Sequence, residues 1–267
     1  MNTISFITAN FIAREVGWAI TEGWHQGNNA TNDYFRSIDT FPKRFDALLK
    51  EIKQLGFQTI DLWVAHLHWA WATKEHTKIA NSLIAKHRFQ VASMVGRFGA
   101  TRLEFETACQ IANAMEVRIL AGTAPFININ RDEAVAILRE YSLEFALVNQ
   151  QEKSPDQLLS KIGYDNHDIL GIAIDTGWYC TLGDGIFDAF EELAPNLKAV
   201  QLKNLISSES ATTSCYNKGC VPIQKCVEKL KELRFNGPLS IEHYPFDKNP
   251  GEECRQNLDL LKSWIKE

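Results

Sequence analysis

The sequence predicts an α/β fold, a (β/α)8 TIM barrel built as a single domain over residues 1–267. Strand-like and helix-like segments alternate along the whole chain. Strand-like runs such as 170–175 are almost entirely apolar, which is typical of strands buried on both faces in a parallel sheet. No linker-like stretch or internal repeat interrupts the 267 residues, and this length suits one such barrel.

Eight strands are predicted from short apolar runs that are followed by polar or turn-forming residues. The run at 170–175 is the clearest, because Asp175 and a turn end it. A carboxylate at the end of a buried strand is costly unless it is paired or functional, and barrels bind their ligands at that end. The predicted strands are 4–9, 59–64, 89–95, 117–121, 144–149, 170–175, 197–203 and 239–242.

Helices are predicted where apolar residues recur at spacings of three and four. Gly56 is expected to end the first of them, since glycine is common just past a helix. Asn130 followed by Glu133, and Ser154 followed by Pro155, are typical helix starts. The first apolar face comprises Phe45, Leu48, Leu49, Ile52 and Leu55, and further helices are expected near 79–87, 103–115, 186–193, 222–233 and 258–265.

The segment 21–40 is rich in Gly, Asn and Asp, and it is too long for a simple strand-to-helix turn. We predict that this segment is a loop over the active face of the barrel. Within it, Trp24, His25 and Gln26 are expected to cover the barrel mouth as a lid.

Composition limits the classes of partner and compartment. The net charge of −5, from 28 basic and 33 acidic residues, gives no basic footprint for nucleic acid. The chain shows no apolar run of membrane-spanning length and no secretory leader. A cytoplasmic protein without a membrane or nucleic-acid partner is therefore expected.

The six scattered cysteines of this large chain predict reduced thiols rather than a disulfide framework. Cys215, Cys220 and Cys226 are spaced more widely than the usual cysteine pairs of a zinc site. Cys226 also falls on the apolar face of a predicted helix, which favours a place in the core.

Polar side chains collect at the predicted carboxyl ends of five strands, where a barrel places its chemistry. Carboxylates from two of these strands, Asp175 and Glu242, are suited to binding a hard cation or to moving protons. The other polar residues at these strand ends are His66, His68, Asn149, Gln150, Gln201, Lys203, Asn204 and His243.

Five segments follow one another along the chain: GFQTIDLW at 56–63, EKSPDQLL at 152–159, IDTG at 174–177, VQLKN at 200–204 and GPLSIEH at 237–243. Together they resemble the signature strands of the sugar phosphate isomerase/epimerase family. Members of that family have the xylose-isomerase-like TIM barrel and are related to AP endonuclease family 2. The resemblance runs over nearly the whole chain and implies the same barrel.

The resemblance also implies one divalent metal (Mn, Mg or Zn), held by Glu, Asp, His and Glu on strands five to eight. The two Glu residues of such a site also serve as acid and base. Asp175 and Glu242 match the Asp and the last Glu, so they are the expected metal ligands. Val148 stands at the position of the other Glu, Gln201 at that of the His, and Trp178 at that of a second His nearby. The ligand set is only partly kept, and the alternative is a protein without a bound metal.

Glu242, Lys203 and His66 are the predicted catalytic residues. His66 is alternatively part of an aromatic wall that contacts the substrate. Lys203 is expected either to bind an anion or polarise a carbonyl, or to pair with Asp175 or Glu242. Glu152 either replaces the lost acid or caps the next helix. The predicted substrate contacts are His68, Trp69, Asn149, Gln150, Gln201, Trp178 and His243.

We predict a sugar or sugar phosphate isomerase or epimerase that moves a proton next to a carbonyl, with its usual metal site partly lost. The alternative from another class is a catalytically silent barrel that binds carbohydrate. An endonuclease-IV-like DNA repair enzyme is a third alternative. It needs a multi-zinc cluster and a basic surface, which seven His residues and a net charge of −5 do not favour. The expected partner is a small-molecule carbohydrate, and a homo-oligomer is left open.

Overall fold

In the computed structural model the chain forms a closed barrel of parallel strands, as the sequence predicts. The structure describes residues 2–150, 152, 154–182 and 185–266. The barrel strands are β1 (Ile4–Ile7), β2 (Thr59–Trp63), β3 (Gln90–Arg97), β4 (Ile119–Thr123), β5 (Glu144–Val148), β6 (Leu170–Asp175), β7 (Leu197–Leu205) and β9 (Leu239–Glu242), with a short strand β8 (Thr213–Ser214) between the last two.

The order of the strands determines which strand ends meet. β1 pairs with both β2 and β9, and the pairing of β6 with β7 closes the barrel. β7 lies between β6 and β9, so polar residues from three strand ends come together there. The short strand β8 pairs antiparallel with the end of β7.

The predicted strands agree with the observed ones except at their ends. β9 has the predicted bounds, whereas β1 stops two residues early because Thr8–Phe11 forms a short 3-10 helix. β7 continues past Lys203 to Leu205, where the chain pairs with β8. The strand cores are predictable because they are buried and apolar, whereas the ends depend on these local partners.

The helices are α1 (Trp24–Phe35), α2 (Phe41–Gln54), α3 (Lys74–Lys86), α4 (Arg102–Ala114), α5 (Pro125–Ile129), α6 (Arg131–Glu140), α7 (Pro155–Ile162), α8 (Thr176–Leu182), α9 (Ile186–Leu193), α10 (Ile223–Glu232) and α11 (Gly251–Lys266). The predicted face of α2 is buried, from Phe45 to Ile52, and Gly56 follows the helix with a φ of +92°. Within the residues that the structure describes, every helix is too short or too polar to span a bilayer.

The prediction of a loop over 21–40 is wrong, because α1 occupies twelve residues of it. The helix buries Gly27, Thr31 and Phe35, which are spaced by four and share one face. Gly27 lets the helix approach closely, since a Cβ there would lie 2.4 Å from the carbonyl oxygen of Ile12. The buried face is made largely of small and polar residues, so hydrophobic periodicity does not reveal it.

A buried carboxylate lies inside the barrel, away from the mouth. Asp61 on β2 is fully buried and accepts hydrogen bonds from Ser5 (2.5 Å) and Ser93 (2.7 Å). Ser5 is also 3.1 Å from the hydroxyl of Ser240. The group therefore joins four strands through polar contacts, and burial raises the pKa of Asp61 against the lowering effect of these hydroxyls.

Replacing Asp61 with alanine is expected to lower the free energy of unfolding by about 1–3 kcal/mol, because the hydroxyls of Ser5 and Ser93 lose their acceptor. Asp61→Asn keeps the shape and an acceptor oxygen, so it is expected to lose less. Urea denaturation of both variants checks this. Equal losses in the two variants would show that the serine contacts contribute nothing.

The prediction of reduced thiols is wrong for two of the six cysteines. Cys180 on α8 and Cys220 after β7 form a disulfide, with Cα atoms 6.8 Å apart. They are 40 residues apart in sequence, and they meet because β6 and β7 are neighbours in the barrel. Cys226 lies in the core as predicted, and the free cysteines are Cys109, Cys215, Cys226 and Cys254, all buried.

Candidate active site at the barrel mouth

Three charged side chains form a cluster where β6, β7 and β9 end. Asp175 ends β6, Glu242 ends β9, and Lys203 lies on β7 between them. The Lys203 ammonium forms an ion pair with Asp175 Oδ2 and lies 3.5 Å from Glu242 Oε1. Lys203 therefore makes the predicted pairs with these carboxylates, and its other predicted role, at an anion or a carbonyl, stays a prediction. The exposed fractions of the three side chains are 3, 5 and 11% in the order Asp175, Lys203, Glu242.

The Asp-Thr-Gly sequence at the end of β6 positions this cluster. Asp175 accepts a hydrogen bond from the N–H of Gly177 (2.9 Å), at the start of α8. Thr176 accepts from the N–H of Lys203 (2.9 Å) and donates to the Lys203 carbonyl (2.8 Å). A Cβ on Gly177 would lie 2.5 Å from Lys203 Cε, so a larger residue there would displace the lysine side chain from its present position.

Asn149 fixes the backbone of Asp175 from the neighbouring strand. Its Oδ1 accepts from the N–H of Asp175 (2.7 Å), and its Nδ2 donates to the Asp175 carbonyl (3.1 Å). Asn149 is fully buried, and this bidentate contact uses both ends of its amide. Its position therefore indicates a positioning role, and the predicted contact with substrate stays a prediction.

Aromatic rings cover the charged cluster. The Tyr244 hydroxyl lies 3.3 Å from Lys203 Nζ, and the Trp178 ring centre lies 5.5 Å from the same atom. Trp24 of α1 packs edge-on against Tyr244 and Trp63, with ring centres 5.0 and 5.5 Å apart. The segment predicted as a lid does lie at the mouth, as a helix. Such rings suit both the apolar faces of sugars and the stabilisation of a cation.

Burial and mutual repulsion set the charges of the cluster. Burial, together with the negative charge of Asp175, raises the pKa of Glu242 to about 7, against the lowering effect of Lys203. The carboxylates raise the pKa of Lys203 well above its usual value although burial opposes this, so the amine stays protonated. Lys203 contacts Asp175 more closely than Glu242, so a proton shared by the carboxylates is held on Glu242. Glu242 Oε2 is buried and has no hydrogen-bond partner among the described residues.

The sequence comparison decides which family this barrel represents. A sequence model described as the xylose isomerase-like TIM barrel matches residues 49–264. The chain belongs to this family. A search of curated proteins finds no match.

Solved structures with the same fold are distant in sequence. A xylose isomerase domain protein from Planctomyces limnophilus superposes with a TM-score of 0.68 at 18% identity, covering 82% of this chain and 91% of that one. D-psicose 3-epimerase with D-tagatose, from Clostridium cellulolyticum H10, gives 0.67 at 10%, covering 83% and 93%. A xylose isomerase-like protein from Mycobacterium smegmatis, in complex with magnesium, gives 0.66 at 16%, covering 84% and 90%. At these identities the likeness shows the fold.

The residues at this mouth do not fit the divalent metal that the resemblance implies. Val148 has no donor atom and lines a separate cavity of about 110 Å³ beside Leu147. Gln201 offers a neutral amide, which is a weak ligand for Mn or Zn. The two remaining carboxylates both contact the Lys203 ammonium, so a divalent ion between them would meet a positive charge.

The two histidines predicted after β2 differ in their surroundings. His66 is buried, 3.1 Å from the Thr8 hydroxyl, with its ring against Phe35 and Trp63. Burial and the charge of Arg14 lower the pKa of His66 to about 3, which keeps the ring neutral. These contacts favour a packing role, and none of them belongs to the charged cluster.

His68 and Trp69 lie half-buried on the rim, with ring centres 4.5 Å apart. Trp69 donates to the carbonyl of Arg97 at the end of β3, and His68 accepts from the N–H of Ala70. The two rings therefore form an aromatic edge of the rim. Its contact with a substrate stays a prediction.

The remaining predicted residues lie in different places. Gln201 is buried beside Asp175 in the strand register, whereas Gln150 is exposed. Glu152 pairs with Lys161 of α7 and accepts from the N–H of Gln150, so it supports the next helix and does not replace the lost acid. His243 is directed to α11, where its Nε2 lies 2.8 Å from Glu253 Oε2.

Sequence reasoning missed Tyr244, which contacts Lys203 directly. Alternation along an extended strand could have revealed it, because Tyr244 is two residues beyond Glu242 and shares its side. The same rule places His243 on the opposite side, as the structure shows.

Proposed function

We propose that the protein is a sugar isomerase or epimerase that moves a proton next to a carbonyl group, without a divalent metal in the barrel mouth. The observation that carries this proposal is the Lys203 ammonium between Asp175 and Glu242. The resemblance implies a metal between these carboxylates. In this chain the positive charge between the two carboxylates is the Lys203 ammonium group.

The cluster contains the two groups that such a reaction needs. Removing a proton next to a carbonyl places negative charge on the carbonyl oxygen, and a preorganised cation stabilises that charge. Lys203 supplies the cation. Glu242, with a pKa of about 7, can accept a proton and return it near neutral pH.

One carboxylate limits the stereochemistry of the reaction. With Val148 at the position of the partner Glu, Glu242 returns the proton on the face from which it took it. In aldose–ketose isomerisation, one such group moves a proton between the two adjacent carbons on one face, while the proton of the neighbouring hydroxyl passes to the carbonyl oxygen. Inverting a carbon instead needs delivery of the proton from the opposite face. Aldose–ketose isomerisation therefore fits this cluster better than epimerisation.

A small carbohydrate is the substrate class that the surroundings support. Trp24, Trp178 and Tyr244 offer aromatic faces around the ammonium. D-psicose 3-epimerase, which shares the fold, has been solved with D-tagatose. Neighbouring side chains must move for a sugar to reach Lys203, since the three charged side chains are nearly buried.

The same burial favours a second candidate function, a catalytically silent barrel that binds carbohydrate. In that case the ion pairs of Lys203 stabilise the fold, and the aromatic rim alone contacts the sugar. The two functions differ in one observable property, which is exchange of the proton next to the carbonyl.

Exchange in heavy water tests the proposal. The protein is incubated with a panel of aldoses, ketoses and their phosphates, and deuterium next to the carbonyl is followed by NMR. If the wild type exchanges this proton and Glu242→Gln exchanges it about 100-fold or more slowly, proton transfer by Glu242 is supported. Glu152→Gln is the matched control, because Glu152 is a buried carboxylate beyond the end of β5 and outside the cluster. A sugar that shifts the melting temperature without any exchange would instead establish the silent alternative.

A further inference from the structure

A second group of chemically reactive side chains lies outside the barrel mouth. Cys215 follows β8, His243 follows β9, and Glu253 lies in the first turn of α11. One ligand atom from each residue lies within 4.8 Å of the others, and no ion is present. Glu242 contacts Lys203 at the mouth, whereas the adjacent His243 is directed to α11, so the two sites are separate.

The backbone and neighbouring side chains hold the three residues in place. The N–H of His243 donates to Asn10 Oδ1 (2.9 Å), and the N–H of Tyr216, next to Cys215, donates to Asn257 Oδ1 (3.0 Å). The exposed fractions of the His243 and Glu253 side chains are 1 and 26%. His243 Nδ1 is buried and has no hydrogen-bond partner within the part of the chain that the structure describes.

We propose that Cys215, His243 and Glu253 bind a Zn²⁺ ion. Thiolate, imidazole and carboxylate are ligands that zinc prefers, whereas Mg²⁺ and Ca²⁺ prefer oxygen alone. Zinc–ligand distances of about 2.0–2.3 Å place neighbouring ligands roughly 3–4 Å apart, so atoms within 4.8 Å need only small movements. One thiolate and one carboxylate balance the charge of the ion, and water completes four-coordination.

Lys248 leaves room for the ion. Its ammonium contacts Glu253 Oε1 (2.6 Å), whereas Oε2 faces His243. The metal would bind Glu253 Oε2, and Lys248 would hold the carboxylate in orientation through its contact with Oε1. Cys215 loses its thiol proton on binding, so metal uptake releases a proton to solvent.

The ion joins three parts of the chain that otherwise meet through hydrogen bonds. These parts are the segment after β8, the end of β9 and the start of α11. Thr213 in β8 accepts from the N–H of Tyr244 (3.1 Å), so the zinc site supports the same rim that carries Glu242 and Tyr244. This role is independent of the chemistry proposed for Lys203.

Metal titration of the chelator-treated protein tests the site. The wild type is expected to bind one equivalent of Zn²⁺, and Co²⁺ in its place is expected to give a thiolate-to-cobalt charge-transfer band. Cys215→Ser should abolish the band, and both Cys215→Ser and Glu253→Gln should weaken binding by at least about tenfold. Glu253→Gln has a partly exposed side chain and keeps its shape, so the test survives if Cys215→Ser does not fold.

Two matched variants show whether zinc binds at these three residues or elsewhere in the protein. Cys226→Ser removes a buried cysteine outside the cluster, and Asp175→Asn alters the barrel mouth; both are expected to bind Zn²⁺ as the wild type does. Failure of the wild type to bind Zn²⁺ would overturn the proposal. An unchanged affinity in Glu253→Gln, or loss of the cobalt band in Asp175→Asn, would overturn it as well.

Discussion

Replacing Lys203 with methionine is expected to lower the free energy of unfolding by about 3–5 kcal/mol near neutral pH and above. Methionine keeps the length of the side chain but removes its charge. Asp175 and Glu242 then stay buried without their cation, and each ionised carboxylate repels the other. Proton transfer should also fall by about 100-fold or more, because the cation that stabilises the carbonyl oxygen is lost.

The loss of stability in Lys203→Met depends on pH. Burial already raises the folded-state pKa values of both carboxylates in the wild type, and they rise further without the ammonium, so the penalty of the substitution grows as pH increases and shrinks in acid. Urea denaturation at an acidic and a basic pH measures this. Lys198→Met is the matched control on the same strand. Its partner Glu144 still pairs with Arg118, so this variant is expected to lose less stability than Lys203→Met. Equal losses at both pH values would contradict the ion-pair role of Lys203.

Replacing Glu242 with glutamine is expected to lower proton transfer by about 10²–10⁴-fold while the protein stays folded. The amide matches the carboxylate in shape, and Lys203 keeps its pair with Asp175. In the wild type the reaction rate should rise with pH through about 7, where Glu242 loses its proton and becomes a base. Steady-state rates across this range check the position of the rise, and a wild-type rate that is flat through neutral pH would remove Glu242 as the base.

Although Glu242→Gln is expected to lose activity, it is not expected to lose stability. The pKa of Glu242 rises from 4.5 to about 7 on folding, mainly through burial, so the folded state binds a proton that the unfolded state releases. The contribution of Glu242 to wild-type stability therefore falls as pH rises between these values and is constant above them. Glu242→Gln should remove this slope and be at least as stable as the wild type at basic pH. A variant less stable than the wild type above pH 7 would contradict the burial cost.

The barrel was predictable because its strands are continuous apolar runs with turns after them. The interior of Leu170–Asp175 is buried throughout, so the pattern reports burial directly. Helix α1 was not predictable in this way, because its buried face contains Gly27 and Thr31. The disulfide depends on which strands are neighbours, and cysteine spacing carries no information about a contact across 40 residues.

At the mouth, sequence reasoning identified the charged residues but left their arrangement open. The positions of Asp175, Glu242 and Lys203 followed from strand ends, whereas the pairing of Lys203 depends on β7 lying between β6 and β9. His66 also follows a strand, yet the short 3-10 helix Val64–His66 carries its ring into the packing against Phe35. Position at a strand end therefore indicates closeness to the mouth, and the local turn decides which way a side chain points.

If the Lys203 ammonium does the electrostatic work of a divalent metal at this mouth, proton transfer needs no metal there. The most direct measurement is deuterium exchange next to a sugar carbonyl by protein freed of metals, then supplied with Zn²⁺ alone or with added Mn²⁺ or Mg²⁺. We predict that neither Mn²⁺ nor Mg²⁺ changes the rate, and that Lys203→Met lowers it under every condition. Exchange that is absent until Mn²⁺ or Mg²⁺ is added, and that then rises with the concentration of either ion, would contradict this role of Lys203.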